Sequence, residues 1–362
     1  MKNKVGIGLI GTGFARKVQL PVFLACEGAW IASVSSASYA NAQATADEFG
    51  IGHFSDNWRE TVLHPEVDLV CITTPPHLHF EMTLFAIEHA KHILCEKPMA
   101  MNVTEAAEMT AAAAGKPILA LIDHELRFQP GRQVARTMLL DGAIGEIRHA
   151  KAIFQAPSRG DAKLPWNWWS DASAGGGALG AINSHIVDSF NWFLGSPIET
   201  VFCQLQSHIK ERRATAGEML PVTTDDEANM LLRFADGPLT RDATGLVSVS
   251  MLEIPKYRNR VEFYGSEGAL RIDHRGDVFT ARMGEADWNP VAVEISDAIP
   301  GYPDTGFPRG FSGFAKKIIE AIQTERPFIE DAATFEDGLD VQRVLDAARE
   351  SNRHGRLVTI QR

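Results

Sequence analysis

The chain has 362 residues, of which 45% are apolar and 22% are charged, and these proportions exclude a disordered or low-complexity protein. A single hydrophobic core rarely grows beyond about 250–300 residues, so the length predicts two domains. The formal net charge of −11 provides no overall attraction for the phosphate backbone, and we expect no nucleic-acid partner.

The N-terminal segment and the cysteines exclude further classes of protein. Two lysines precede an apolar stretch, as in a signal peptide, but Arg16 and Lys17 interrupt it and no small-residue cleavage site follows. No apolar stretch reaches the ~20 residues of a membrane span, so we expect no membrane partner. The four cysteines form no CxxC pair, and we expect no metal site. Free thiols suit a reducing compartment, which predicts a cytoplasmic protein.

The first third of the chain alternates between strand and helix patterns. Strands are predicted over residues 5–10, 30–34, 67–72, 92–95 and 118–122. Helices are predicted from the first glycine turn to about Ala25 and over residues 40–49, 80–89 and 102–115. This alternation is typical of βαβ units, and right-handed crossovers then produce a doubly wound parallel sheet, the Rossmann fold.

The pattern changes after Arg127. A helix over 130–140 and a strand over 145–154 are followed by alternating strands over residues 228–234, 247–251, 261–264 and 269–272. Amphipathic helices are predicted over 311–322 and 336–351. We therefore predict a Rossmann domain over 1–123 and an α+β domain over 124–362, whose large, mainly antiparallel sheet has one open face.

A glycine turn follows the first predicted strand and opens a helix. Its sequence is Gly11-Thr12-Gly13-Phe14-Ala15-Arg16. The first glycine allows a tight turn, the second lets the backbone approach a pyrophosphate, and the helix N-terminus favours the negative charge. Arg16 stands where the fingerprint has its third glycine. The turn predicts dinucleotide binding, and a tight turn without a ligand is the alternative.

The end of the second strand is where the adenine ribose of such a cofactor is recognised. An acidic residue there accepts a hydrogen bond from the 2′-hydroxyl of NAD. The segment contains Ser35 and Ser36 and no carboxylate that would repel a 2′-phosphate. It contains no arginine either. The segment favours NADP, with NAD as the alternative.

Lys97 follows the strand over 92–95, within Glu96-Lys97-Pro98. Ligands of doubly wound sheets bind beyond the carboxyl ends of the strands, so this lysine is predicted to face the nicotinamide. A solvated surface lysine is the alternative.

Several motifs in order along nearly the whole chain resemble one enzyme family. They are the glycine turn, Thr74-Pro75-Pro76-His77-Leu78-His79, the Glu96-Lys97-Pro98 turn, Arg127-Phe128-Gln129-Pro130, Gly175-Gly176-Gly177 with His185 and Asp188, Gly265-Ser266-Glu267-Gly268, and Glu336-Asp337-Gly338. The chain resembles the glucose–fructose oxidoreductase, inositol dehydrogenase and MocA (Gfo/Idh/MocA) family.

The resemblance implies roles for individual residues. Lys97 and His185 correspond to the catalytic lysine and histidine. A lysine ammonium stabilises developing alkoxide charge, and a histidine with a pKa near ~6.5 can take a proton at neutral pH. The expected cofactor-binding residues are Gly11, Thr12, Gly13, Phe14, Ala15, Arg16, Ser35, Ser36, Thr73, Thr74, Pro75, His79, Glu96 and Lys97.

Two positions depart from the family pattern. Ala181 stands where these dehydrogenases usually carry an aspartate, four residues before the histidine, and Asn183 replaces a glycine. This departure leaves inositol-dehydrogenase-like chemistry in question. The expected substrate residues are Arg127, Trp169, Asn183 and Asp188, with His77 as a further candidate.

The resemblance predicts an NAD(P)-dependent oxidoreductase that acts on a sugar, cyclitol or related polyol. One alternative is an elimination or glycoside cleavage assisted by transient oxidation with a recycled cofactor. The other is a non-catalytic NAD(P)-binding regulator. A small molecule is the expected partner, and we expect a homodimer or homotetramer formed through the C-terminal sheet.

Overall fold

A computed structural model describes residues 4–295 and 305–362, which form two compact units. The first unit contains residues 4–128 and 305–339, and the second contains 129–295 and 340–362. The sequence predicted two contiguous domains that meet at residue 123. In the structure the first unit instead extends to residue 128 and also contains residues 305–339 from the later part of the chain.

The described strands belong to three sheets. The first unit contains β1 (Val5–Ile10), β2 (Ala29–Ser35), β3 (Phe54–Ser55), β4 (Leu69–Ile72), β5 (His92–Cys95) and β6 (Ala120–Ile122). The second unit contains β7 (Ile147–Gln155), β8 (Ile198–Gln206), β9 (Glu211–Arg213), β10 (Met219–Pro221), β11 (Glu227–Phe234), β12 (Thr240–Ser250), β13 (Arg258–Gly265), β14 (Gly268–Ile272), β15 (Val278–Arg282), β16 (Asn289–Val291) and β17 (Val358–Thr359).

The described α-helices follow the same chain order. They are α1 (Leu20–Ala25), α2 (Tyr39–Phe49), α3 (Trp58–Leu63), α4 (His79–Glu88), α5 (Val103–Ala113), α6 (Pro130–Leu140), α7 (Ser184–Leu194), α8 (Gly306–Gln323) and α9 (Phe335–His354). Asn102 caps α5 as its spacing predicts, because its side chain accepts a hydrogen bond from the amide of Glu105.

The first unit is a parallel sheet in the strand order β3-β2-β1-β4-β5-β6. This order confirms the predicted Rossmann fold. The strands are nearly continuous apolar runs because both faces of the sheet are covered. Residues of β4 alternate between two cores, with Leu69 and Cys71 in one and Val70 and Ile72 in the other.

Helix α8 explains why the first unit is discontinuous. Its apolar side contributes Phe311, Phe314 and Ile318 to the core that contains Val5 and Ile7 of β1. A sheet face of this kind must be covered, and burial of three such side chains contributes about 1.5–3 kcal/mol each. The segment after the second sheet therefore completes the core of the first unit.

The second unit confirms the mainly antiparallel sheet. The described strands have the order β16-β15-β14-β13-β7-β12-β11-β8-β17, and only β7 and β12 pair in parallel. Helix α7 packs on one face through Phe190 and Phe193, whose rings contact Phe234 and Phe263. Buried and exposed residues alternate along β11, as predicted for a sheet with one open face.

The structure contains elements that the sequence pattern did not predict. The sequence did not predict strand β8 because Phe202, although exposed, is apolar. Apolar and polar residues therefore do not alternate from Val201 to Cys203. The first predicted helix begins instead as a π-helix over Ala15–Gln19 and becomes α1 at Leu20. Pro21 has no amide hydrogen and therefore sits in the first turn of α1, where no donor is needed.

Within residues 4–295 and 305–362, no helix combines the length and apolar character that crossing a membrane requires.

We expect Gly310→Ala to destabilise the first unit. A Cβ on Gly310 in α8 would lie 2.3 Å from the carbonyl oxygen of Glu125, so the backbone must shift. Overpacking of this kind costs about 1–3 kcal/mol of unfolding free energy, measured by chemical denaturation. Gly52→Ala is the control, because its Cβ meets open space. Equal stability of both variants would contradict this packing.

Candidate active site

The residues that follow strands of the first unit are aligned at one edge of the sheet. The amide of Gly11 donates to Ser35 and that of Thr73 donates to Ile10, each over 2.8 Å. The amide of Glu96 donates to Ile72 over 2.9 Å, and that of Asp123 donates to Cys95 over 2.8 Å. Each peptide thus extends the ladder by one step and places the next side chain at the carboxyl edge, where doubly wound folds bind ligands.

The glycine turn leaves room for a ligand at one of its two glycines. Gly11 has φ of +98°, and a Cβ there would lie 2.8 Å from the carbonyl oxygen of Thr73. A Cβ on Gly13 would meet nothing within 4 Å. Gly11 is therefore required by the fold, whereas Gly13 keeps open space beside the turn, as a pyrophosphate-binding loop requires.

The remaining residues of the turn have different environments. Ala15 is fully buried in the core, and Phe14 packs against it at the edge. Arg16, at the third-glycine position, donates from Nε to the carboxylate of Glu48 on α2. Thr12 Oγ1 lies 3.4 Å from Ser36 Oγ, so the turn is joined to the end of β2.

The two serines predicted to face the ribose differ in exposure. Ser35 is 1% exposed, and its hydroxyl has no hydrogen-bond partner among the described residues. Ser36 is half-buried and keeps its side chain near the glycine turn. Ser36 is therefore the better placed of the two to contact a ribose.

Thr73 and His79 support the loop after β4. The Thr73 hydroxyl donates to the carbonyls of Ile10 and Gly11, each over 3.0 Å. The two ring nitrogens of His79 lie 3.0 Å from the carbonyl oxygen of Pro98 and 2.9 Å from that of Thr74. Burial lowers the pKa of His79 to about 4, and its contacts with the two carbonyls oppose this shift. Thr74 and Pro75 are the half-buried members of this loop.

Lys97 lies at the carboxyl edge beside a buried acid. Its side chain is 20% exposed, and Nζ lies 3.9 Å from Oε2 of Glu96. The amide of Gln19, at the end of the first π-helix, donates to Glu96 Oε1 over 3.3 Å. The strand end therefore holds Lys97 at the surface and its neighbour Glu96 in the interior.

Buried polar residues beside Glu96 were not predicted. Asp123 and Gln19 are fully buried, and Gln19 Nε2 donates to Asp123 Oδ2 over 2.8 Å. Burial raises the pKa of Asp123 well above its usual range, and the charges of Glu125 and Glu96 raise it further. The signal was present, since Asp123 follows β6 as Glu96 follows β5.

Arg127, a predicted substrate residue, binds two residues of the first unit. It is 4% exposed, and Nη2 donates to Asp337 Oδ1 over 3.0 Å while Nη1 donates to the carbonyl of Asp331 over 3.3 Å. Burial by itself would raise the pKa of Asp337, but Arg127 and the Thr334 amide together lower it. This ion pair connects the two chain segments of the first unit, residues 4–128 and 305–339.

His185 lies in the first turn of α7, as predicted. The preceding π-helix, Leu179–Asn183, contains Ala181 and ends at Asn183. His185 is 4% exposed, and its carbonyl accepts a hydrogen bond of 2.6 Å from Ser189, which accepts in turn from Arg132. This chain of bonds holds the first turn of α7 within the second unit.

The other substrate candidates of the second unit are also buried or partly buried. Asp188 is 2% exposed, and Asn183 is fully buried with no partner for its amide atoms among the described residues. Trp169 is half-buried, and the guanidinium of Arg159 lies 5.4 Å from its ring centre. His77 is an exposed residue of the first unit.

Asp225 holds the start of the second π-helix. Its Oδ2 accepts a hydrogen bond of 2.7 Å from the amide of Leu179. Burial raises the pKa of Asp225 to about 6. Sequence reasoning missed this residue because it lies 46 positions from the amide that it caps.

Comparisons with known proteins identify the family. A profile described as "Oxidoreductase family, NAD-binding Rossmann fold" matches residues 5–124, and one described as "GFO/IDH/MocA C-terminal domain" matches residues 133–271. The chain belongs to the Gfo/Idh/MocA oxidoreductase family.

Relatives of this family match the chain over most of its length. An uncharacterized oxidoreductase of Synechocystis sp. is 31% identical over 73% of this chain and 70% of its own. Levoglucosan dehydrogenase of Pseudarthrobacter phenanthrenivorans is 29% identical over 97% of this chain and 96% of its own. A solved structure of levoglucosan dehydrogenase in complex with NADH and levoglucosan is 26% identical, with a TM-score of 0.86 over 99% of this chain and all of that one.

Family membership and geometry agree for the first unit. The Gfo/Idh/MocA profile names an NAD-binding Rossmann fold, and this chain has that strand order with open space at Gly13. The chain is therefore an NAD-binding oxidoreductase of this family.

We expect the two glycines of the turn to respond differently to alanine. Gly13→Ala should weaken NADH binding and leave the melting temperature near the wild-type value, because its Cβ enters only the open space. Gly11→Ala should lower the melting temperature, because its φ is positive and its Cβ contacts Thr73. NADH fluorescence titration and thermal denaturation measure the two effects. Unchanged NADH affinity in Gly13→Ala would exclude the turn as the cofactor site.

Proposed function

We propose that the protein is an NAD-dependent dehydrogenase that acts on a CH–OH group of a sugar, cyclitol or related polyol. The observation that carries this proposal is Lys97, held at the carboxyl edge of the same sheet that places Gly13. The levoglucosan dehydrogenases, which match nearly the whole chain, support a carbohydrate substrate.

We assign cofactor binding to the first unit. The glycine turn with Thr12 and Gly13, the end of β2 at Ser36, and the loop at Thr74 and Pro75 are the residues proposed to contact NAD. Ser35, Thr73 and His79 support these contacts from the interior. Bound NAD supplies the acceptor for the hydride that leaves carbon.

We assign one catalytic role to each unit. In the first unit, Lys97 is proposed to stabilise the alkoxide that develops on a substrate oxygen, as an oxyanion donor does. In the second unit, His185 is proposed as the general base that accepts a proton. Ala181 provides no carboxylate in the π-helix before His185, so no aspartate at this position assists the proposed proton transfer.

NAD is the cofactor that we propose. The sequence favoured NADP because Ser35 and Ser36 replace a carboxylate, but the comparisons support NAD and provide no support for NADP. Burial of Ser35 also removes one of the two hydroxyls from contact with a 2′-phosphate.

We expect Lys97→Ala to lower kcat/KM by about 100-fold or more, because it removes the group that stabilises the alkoxide. Turnover is followed by nicotinamide absorbance with NAD and NADP against a panel of sugars, cyclitols and polyols. Lys116→Ala, which removes an exposed lysine of the same unit, is the control and should retain activity.

Three results would replace this proposal. Wild-type turnover in Lys97→Ala would remove the lysine from the mechanism. Substrate cleavage without net change in nicotinamide absorbance would indicate redox-assisted elimination with a recycled cofactor. Dinucleotide binding without turnover across the panel would indicate a regulator.

We also propose that the second unit binds substrate and forms a homo-oligomer through its open sheet face. Leu231 on β11 is 55% exposed, and its neighbours across the ladder, Phe202 and Leu246, are 36% and 38% exposed. Three adjacent exposed apolar side chains on one sheet face are typical of a protein–protein interface.

We expect Leu231→Glu to reduce the molecular mass in solution, because it buries a charge in the proposed interface. Sedimentation velocity measures the mass. Leu140→Glu is the matched control, since Leu140 is 54% exposed at the end of α6 and not on the sheet. A wild-type monomer, or equal masses for all three proteins, would refute this interface.

A further inference from the structure

A buried amide joins two acids behind Lys97. Gln19 Nε2 donates to Asp123 Oδ2 over 2.8 Å and to Glu96 Oε1 over 3.3 Å. Gln19 and Asp123 are fully buried, and Glu96 is 7% exposed. These three side chains therefore form one polar cluster, which we call the acid pair with its bridging glutamine.

One oxygen of the pair lacks a donor. Asp123 Oδ1 is buried and has no hydrogen-bond partner among the described residues. A buried carboxylate oxygen without a donor is costly, whereas a carboxyl group that holds a proton can donate it to a neighbouring carboxylate. The geometry thus favours a neutral Asp123 beside an ionised acid.

The charged and titratable surroundings distinguish the two acids. Lys97 Nζ lies 3.9 Å from Glu96 Oε2 and favours the ionised form of Glu96. Asp123 is affected by the negative charges of Glu96 and Glu125, and the thiols of Cys71 and Cys95 next to the pair carry no positive charge. Burial raises the pKa of both acids, but only that of Glu96 is lowered again by a cation.

We propose that Glu96 and Asp123 hold one proton between them, with the negative charge on Glu96, and that this acid pair positions the ammonium of Lys97. The positioning half rests on the function proposed above for Lys97. The shared proton between Glu96 and Asp123 does not depend on that function. Asp123 and Gln19 are positioning residues, since they act through Glu96 on the lysine.

The shared proton has a measurable linkage to stability. A carboxyl whose pKa in the folded state exceeds the value of 3.8 for an ordinary aspartate stabilises the fold below that value and loses this contribution as pH rises toward its folded pKa. The unfolding constant of the wild type should therefore rise with pH relative to Asp123→Asn above about pH 5, by up to about tenfold per pH unit. Asparagine replaces the neutral acid and carries no proton to lose.

Denaturation at a series of pH values measures this difference. Asp47→Asn, which removes an exposed carboxyl of α2, is the matched control and should keep the wild-type pH slope. Parallel slopes for the wild type and Asp123→Asn would overturn the shared proton.

An infrared measurement serves if Asp123→Asn does not fold. The wild type at neutral pH should show the carbonyl band of a protonated carboxyl, and Glu96→Gln should shift this band because its hydrogen-bond acceptor has changed. A wild-type spectrum without that band overturns the proposal.

Kinetics test the positioning of Lys97. Glu96→Gln should lower kcat about 10–100-fold, because it removes the anion that orients the lysine. Asp123→Asn should retain kcat, whereas Asp123→Leu should lower it to the same extent as Glu96→Gln. Wild-type kcat in Glu96→Gln, or equal losses in the two Asp123 variants, would contradict positioning.

The two proposals fail in different ways. If Lys97→Ala turns over like the wild type, the proposed function fails and the pH slope of stability still reports the proton. If the pH slopes are parallel while Lys97→Ala is inactive, the acid pair fails and the function of Lys97 stands.

Discussion

One row of backbone hydrogen bonds determines the geometry of the first unit's functional edge. Each peptide that follows β1, β4, β5 or β6 donates to the carbonyl that ends its neighbouring strand. Because these bonds run across the sheet, Gly11, Thr73, Glu96 and Asp123 emerge at one level. The glycine turn, the lysine and the buried acids are thus positioned by main-chain bonds of the most buried strands, which resist local rearrangement more than loop contacts do.

The polar groups behind this edge are costly to bury, and several of them are held by specific hydrogen-bond partners. His79 joins the loops after β4 and β5 by contacts to two carbonyls, and Gln19 joins Glu96 to Asp123. Such networks rigidify a site when their members are satisfied. Lys97 therefore extends from a backbone whose position is determined on several sides, as the oxyanion-donor role proposed for it requires.

A π-helix followed by an α-helix occurs in both units. Ala15–Gln19 precedes α1, and Leu179–Asn183 precedes α7. Each π-helix ends at a fully buried amide side chain, Gln19 or Asn183. The wider turn changes the direction of the residues that follow it, and π-turns are frequent at functional sites. In the second unit this turn leads directly to His185, with Ala181 at its centre.

The sequence alone determined the Rossmann alternation, the open antiparallel sheet, the family, and the positions of Lys97 and His185 in their elements. These features depend on local periodicity and on motifs, which are readable in one dimension. The tertiary structure alone decided that α8 completes the first core, that Arg127 pairs with Asp337, and that Asp123 and Gln19 lie behind Glu96. The polar contacts join residues 77 to 210 positions apart, and α8 packs against residues that are even farther away in sequence. No local pattern encodes these contacts, because their energy comes from burial and pairing in three dimensions.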